Sequence, residues 1–206
     1  THARFEIMML GDTKPDLAIG EFKKAFNKVN RESTLDNSAT FLQSASQVKR
    51  IIETADIVQS KLVMGFRTGS INPDDNVVAR RVMNSLLGGT PHSKLFLNVR
   101  EKLSLWYYCA SRYDRNKGLM LIESGVEKKN IDHAVEEISN QLNAIKKGDF
   151  TQNEIDATKL SLANSFRTIS DYLGGLENFY IAQAFCKEIK TPEQCVDEVN
   201  KVTKDE

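Results

Sequence analysis

An α+β fold is predicted, with an antiparallel or mixed β-sheet covered on one face by helices. Three observations lead there. The segments KLVMGFRTG, LWYYCASRY and LMLIESGV are short, apolar and rich in β-branched and aromatic residues. Two helical patterns lie among them, and the last third of the chain is almost continuously helical in pattern. Helices gathered at one end of a chain, and not alternating with strands, favour α+β over a parallel α/β sheet.

In order, Phe5 to Leu10 is an apolar run ending at Gly11-Asp12, which reads as a buried strand and turn. Pro15 to Val29 places Leu17, Ile19, Phe22, Phe26 and Val29 on one helical face. Arg31 to Gln47 is polar and reads as a long connection. Val48 to Thr54 and Val58 to Arg67 are strand candidates, the second with the pattern of a strand buried on both faces. Asn72-Pro73-Asp74-Asp75 opens a helix with Val78, Val82, Met83 and Leu86 on its stripe, and Gly88 suits its C-terminal cap. Ser93 caps a short helix carrying Leu95, Phe96, Val99 and Leu103. Leu105 to Tyr113 and Leu119 to Val126 form a hairpin around Asp114–Gly118.

The remainder is helical. Asn130 caps a helix that Gly148 stops. Thr151-Gln152-Asn153-Glu154 is a capping box for a helix running to Leu173-Gly174-Gly175. Leu176 to Lys187 is a further helix, and Thr191-Pro192-Glu193-Gln194 starts the last, with proline in the first turn.

The chain has 206 residues, 40% hydrophobic and 27% charged, with 28 Lys plus Arg against 28 Asp plus Glu. This suits one sizeable domain, taken here as residues 1–206, and gives no global attraction to nucleic acid or anionic membrane. No apolar run approaches a membrane span. Cys109, Cys186 and Cys195 form no CxxC pair, and so sparse a set suggests free thiols in a reducing, cytoplasmic compartment. The chain begins at Thr1 without Met, and the expectation is a fragment of a longer chain.

Catalytic chemistry is hard to place. His133-Ala134-Val135-Glu136-Glu137 stops one residue short of an inverted zinc motif, and His2 and His92 lie nowhere near it. His92 reads as a polar turn residue. Gly88-Gly89 lacks the Lys-Ser or Lys-Thr of a phosphate loop. The pairs Asp74-Asp75 and Glu136-Glu137 suit the first turns of helices. What remains is Arg100 and Tyr107, seven residues apart across a helix end and a strand start. A guanidinium fork and a phenol are both donors, and together they suit a peptide carbonyl. The competing reading is an Arg100 surface pair with Glu101 or Glu123 and a tyrosine buried in the sheet.

The stretch LLGGTPHSKLFLNVREKLSLWYY resembles the hallmark of the second half-domain in the pitrilysin–insulinase–mitochondrial processing peptidase family, most closely its bacterial, often non-catalytic members. The early strand-Gly-Asp-helix, KLVMGFRTG and GLMLIESGV fall in the family's order. The resemblance implies a half-domain of the inverted-zinc-motif (inverzincin) type from a two-half chain. Zinc is then held by H-x-x-E-H on the first half, and the second half supplies an Arg and a Tyr that bind substrate. Those map onto Arg100 and Tyr107, leaving this chain no catalytic residue, no metal ligand and no cofactor of its own. The helix matching the zinc helix carries Arg80, Met83 and Asn84 instead of ligands. Ser104 and Trp106 replace a usual glycine and small residue. The implied partners are a peptide substrate and the first half-domain or a homologous subunit, in a dimer. Two functions stay open: the substrate-binding half of a zinc endopeptidase, or a non-catalytic scaffold or peptide-binding subunit beside an active homologue.

Overall fold

A computed structural model describes residues 5–29, 42–69, 76–101, 106–184, 186 and 188–205, with residues 100, 101, 106 and 107 described by backbone alone. The chain divides into two compact units.

The larger unit spans Thr40–Arg167 and Lys190–Glu206. Its centre is a three-stranded antiparallel sheet of order β1-β3-β2, formed by β1 (Ser60–Arg67), β2 (Trp106–Asp114) and β3 (Leu119–Val126). The predicted hairpin is present. Asp114 Oδ1 accepts from the Asn116 amide at 2.9 Å, and Gly118 takes a φ of 55°, which closes the turn at low steric cost. β1 joins the far side of β3, from Ser60 opposite Val126 to Arg67 opposite Leu119.

β1 is an edge strand buried on one face only: Val63 is 59% exposed, while Leu62, Met64 and Phe66 turn towards the core. This corrects the expectation of burial on both faces. A short run with both apolar parities does not reveal whether a second layer exists to cover it.

The helices of this unit are α2 (Val77–Asn84), α3 (Ile131–Lys146), α4 (Gln152–Arg167) and α6 (Pro192–Lys201). The core joins Ile122, Met120 and Val126 of the sheet to Ala134, Ile138 and Leu142 of α3 and to Leu87, Leu95 and Val99. Each fully buried aliphatic side chain contributes about 1.5–3 kcal/mol. The predicted capping box at Thr151 forms, and the helix start at Thr191 proves to be a second one. Thr151 and Glu154 exchange bonds at the start of α4, as do Thr191 and Gln194 at the start of α6. Gly148 follows α3 with a φ of 69°. Asn130 caps α3 without a side-chain bond, after a short 3-10 turn.

The smaller unit holds Thr1–Ala39 and Thr168–Ile189. It contains α1 (Pro15–Phe26), a 3-10 turn at Thr168–Asp171 and α5 (Leu173–Ile181). α1 has Pro15 at its start, Asp16 in the first turn and Lys23 and Lys24 in the last, all favourable to the helix dipole.

Four expectations change. Phe5 to Leu10 and Val48 to Thr54 are not strands; Val48 and Ile51 are 99% and 80% exposed. Apolar content signals a segment that gains from cover, but a strand also needs a neighbouring backbone to bond. Leu173-Gly174-Gly175 does not end α4. It opens α5, where Gly175 lies beneath the Tyr172 ring and a Cβ would collide with that ring. α5 accordingly begins at Leu173 and ends at Ile181, short of the expected Lys187. The fourth change, at Gly88, belongs to the site. The predicted helix start at Asn72–Asp75 lies outside the described residues.

Candidate functional site

The corner is built by two wide π-helical turns and one strand. α2 does not stop at Asn84 but runs on as a π-helical turn, Ser85–Gly89. After the Thr90–Ser93 link a second π-helical turn, Leu95–Glu101, carries Arg100. π-turns are rare and occur often at functional sites. Ser93 caps the second turn as expected, its buried hydroxyl accepting from the Phe96 amide at 3.4 Å.

Gly88 is therefore not the C-terminal cap. It lies inside the first π-turn, pressed on β2: a Cβ there would sit 2.7 Å from the Ser111 backbone nitrogen and 2.8 Å from Leu95 Cδ1. The glycine is required by the close approach of helix to strand. Two bonds seal that contact. Ser111 Oγ donates to the Asn84 carbonyl at 2.9 Å, and Asn84 Nδ2 donates to the Ser111 carbonyl at 3.4 Å.

Tyr107 lies in β2, where the register shifts. Trp106 faces Val126, Tyr108 faces Gly125, and Tyr107 is the extra residue between them. This is a β-bulge, a device that re-aims a side chain and recurs beside active sites. Gly125 accommodates it from the opposite strand. A Cβ on Gly125 would meet Tyr108 Cε1 at 2.6 Å and Gln59 Nε2 at 2.5 Å. Ser124 reinforces the same place, its hydroxyl donating to the Tyr108 carbonyl at 3.0 Å. The bulge was not foreseen, because the bulged strand has no glycine to mark it and Gly125 lies on its partner.

The second π-turn packs directly on β2, so the backbones carrying Arg100 and Tyr107 belong to adjoining elements. The side chains of both residues, with those of Glu101 and Trp106, are outside the description, and Ser104 lies outside the described residues altogether. Of the alternative partners proposed for Arg100, Glu123 is bonded to Arg112 at 2.6 Å.

The donor set does not fit zinc. α2, VVARRVMN, carries no His, Cys, Asp or Glu. Among the described residues no three His, Cys, Asp or Glu side chains gather as a metal site. His133 is exposed near the start of α3, and Glu137, which continues its helix, accepts from Gln141 at 2.6 Å. Cys109 is buried within the core, and burial raises its thiol to about 11 despite the Ser124 hydrogen bond. Among the described residues no helix is long and apolar enough to cross a membrane.

The corner is thus a helix-backed antiparallel sheet whose bulged strand lies beside a π-turn, an α+β half-domain frame. Residues 1–162 match the family described as the Peptidase M16 inactive domain, and the chain belongs to that family. It is 41% identical over 161 residues, 78% of this chain and 38% of the relative, to the "Probable inactive metalloprotease YmfF" of Bacillus subtilis. A conserved protein from Enterococcus faecalis is similar in structure, with a TM-score of 0.80 at 29% identity over 95% of this chain and 46% of that one. A protease from Helicobacter pylori shares the fold at a TM-score of 0.72 and 16% identity, over 95% of this chain and 48% of that one. The chain thus spans less than half the length of these relatives.

Proposed function

We propose that this chain is the zinc-free, substrate-binding half of a metallopeptidase-like protein, holding an extended peptide at the corner where Leu95–Glu101 meets β2. The observation that carries the reading is the bulge at Tyr107, set against the π-turn of Arg100. Arginine offers a planar fork of donors and tyrosine a hydroxyl, and together they suit a peptide carbonyl. The chain's residues bind and orient; α2 supplies no group to activate water, so no bond-breaking step belongs to this chain. The peptide's other contacts come from a first half-domain or a homologous subunit, and three free thiols agree with a reducing, cytoplasmic setting.

A second reading, a scaffold beside an active peptidase, is favoured by the word "inactive" in the descriptions of the family and of the Bacillus relative. Fluorescence anisotropy with labelled peptides separates the two. In the first reading Arg100→Ala and Tyr107→Phe each weaken binding about tenfold or more while thermal stability stays nearly constant. Unchanged binding supports the scaffold, and a large loss of stability makes Arg100 structural. Metal analysis after dialysis should find no stoichiometric zinc and peptide assays no hydrolysis; stoichiometric zinc that disappears in His133→Ala would overturn the assignment.

A further inference from the structure

The larger unit contains a cavity of about 640 Å³, lined by neither Arg100 nor Tyr107 and within the range of small-molecule sites. It is bounded by the end of β1, by α2, by the junction of α3 and α4, and by the residues after α6. Its walls are apolar, with Met83, Leu86, Met120, Leu142, Ile145 and Ile155 among them. Two of these are methionines, whose unbranched chains adapt to an irregular guest.

The mouth is different. Arg67, Arg80, Lys146, Lys147 and Lys204 line the cavity against a single acid, Asp205. Lys146 and Lys147 are exposed at the C-terminal end of α3 and form no ion pair among the described residues. Arg67 has only a 3.5 Å approach to the Lys117 carbonyl. Lys204 donates to the Phe150 carbonyl at 2.7 Å, and its ammonium lies 5.0 Å from the centre of that ring, which fixes one cation at the rim. The aliphatic and methionine side chains of the walls offer no N–H or carbonyl partner to the amides of a peptide, whereas a hydrocarbon chain needs none.

From this division we infer that the cavity binds a single-chain anionic amphiphile, such as a long-chain carboxylate. The chain lies among the methionines and aliphatics, and the head group lies at Lys146, Lys147 and Arg67. The head can be free in solution or belong to a bilayer lipid, and the favoured source is the free molecule, because the site is a cavity of limited volume.

Calorimetric titration of the full chain below the critical micelle concentration tests this, with dodecanoate, hexanoate and dodecyltrimethylammonium as probes and with phosphatidylglycerol vesicles in a separate sedimentation assay. Dodecanoate should bind saturably at one site per chain, and hexanoate at least tenfold more weakly, since each buried methylene is worth up to about fourfold in affinity. The cationic probe should bind at least tenfold more weakly as well. Lys146→Glu with Lys147→Glu should cost tenfold or more, and Lys128→Glu with Lys129→Glu less than twofold, with folding of both variants checked by circular dichroism. Equal binding of the two C12 probes, no saturable dodecanoate binding, or binding to vesicles alone would each overturn the proposal. The two C12 probes on the unaltered protein decide the matter even where a variant fails to fold.

Discussion

The Lys94 ammonium lies 3.0 Å from Glu154 Oε1, and the other oxygen of that carboxylate closes the capping box of α4 by accepting from the Thr151 amide at 2.7 Å. Lys94 immediately precedes the π-turn that carries Arg100, so one carboxylate ties the entry to the corner to the first turn of α4. The Lys94 side chain is only 10% exposed, and a buried ammonium is costly without its partner. Glu154→Gln keeps an acceptor for the cap but removes the charge. It should destabilise the protein by about 1–3 kcal/mol. Adding Lys94→Met should restore most of the loss, because the orphaned charge is then gone. Desolvation raises the Glu154 carboxyl, but the Thr151 amide, with Lys94 and the Thr151 hydroxyl, outweighs it and holds the group below its ordinary 4.5. A depressed folded value gives stability that is present above 4.5 and lost as pH falls through the lower folded value. Urea denaturation should therefore show a constant gap between wild type and Glu154→Gln from pH 6 to 8 and a shrinking one in acid. A gap that persists undiminished in acid would show that the charge is not the source.

Gly88 and Gly89 are neighbours in sequence with opposite tolerances. The Cβ of Gly88→Ala would meet Ser111 backbone nitrogen at 2.7 Å, and no rotamer change relieves a clash with backbone. The expected cost is about 1–3 kcal/mol, even after alanine's better helix propensity is counted. In Gly89→Ala the nearest atom is Ser85 Oγ at 3.2 Å, a hydroxyl able to rotate away. That variant should fall within about 1 kcal/mol of wild type. Equal denaturation midpoints for the two would mean that the helix does not press on β2 as described.

Gly125 tests the bulge. Gly125→Ala forces the Tyr108 ring and the Gln59 amide aside, but both are side-chain atoms, and Tyr108 is 40% exposed. The stability cost should be small, about 1 kcal/mol or less. Displacing Tyr108 disturbs the residue next to Tyr107, so peptide affinity should fall severalfold in the same variant. Unchanged affinity, measured by anisotropy, would separate the bulge from binding.

These positions show what a sequence can and cannot express. Strand β3 was legible to the residue, from Leu119 to Val126, because its apolar run follows directly on the Asp114–Gly118 turn. The capping box at Thr151 was legible because its bonds span three residues, and the helix start at Thr191 because proline follows it in the first turn. The stretch from Leu86 to Tyr108 carried the family resemblance, with the order of elements in support, and from it came the expectation that Arg100 and Tyr107 bind substrate. The π-turns were not legible: a wide turn is selected by the fit of Gly88 against Ser111, a contact spanning twenty-odd residues. Nor was the fate of Val48–Thr54, whose apolar residues report a gain from cover and not the presence of a pairing strand. The cavity was invisible for the same reason, since its basic mouth is gathered from β1, α2, α3 and the residues after α6.

The cysteines give a last test, of burial itself. Cys109 is 4% exposed, and desolvation lifts its thiol to about 11 against an ordinary 9.0, with the Ser124 hydrogen bond pulling only weakly the other way. At pH 8 about one molecule in a thousand carries the thiolate, the form that attacks an alkylating agent. The Cys195 thiol is also raised, mainly by desolvation, but its side chain is only partly buried, as is that of Cys186. Iodoacetamide at pH 8 should therefore label Cys186 and Cys195 first and leave Cys109 unmodified until the protein opens, as peptide mass spectrometry over time would show. Adding urea above the unfolding midpoint should bring all three to similar rates. Rapid native labelling of Cys109 would mean that β2, the strand bearing Tyr107, opens without global unfolding, and the corner would then have to be read as mobile.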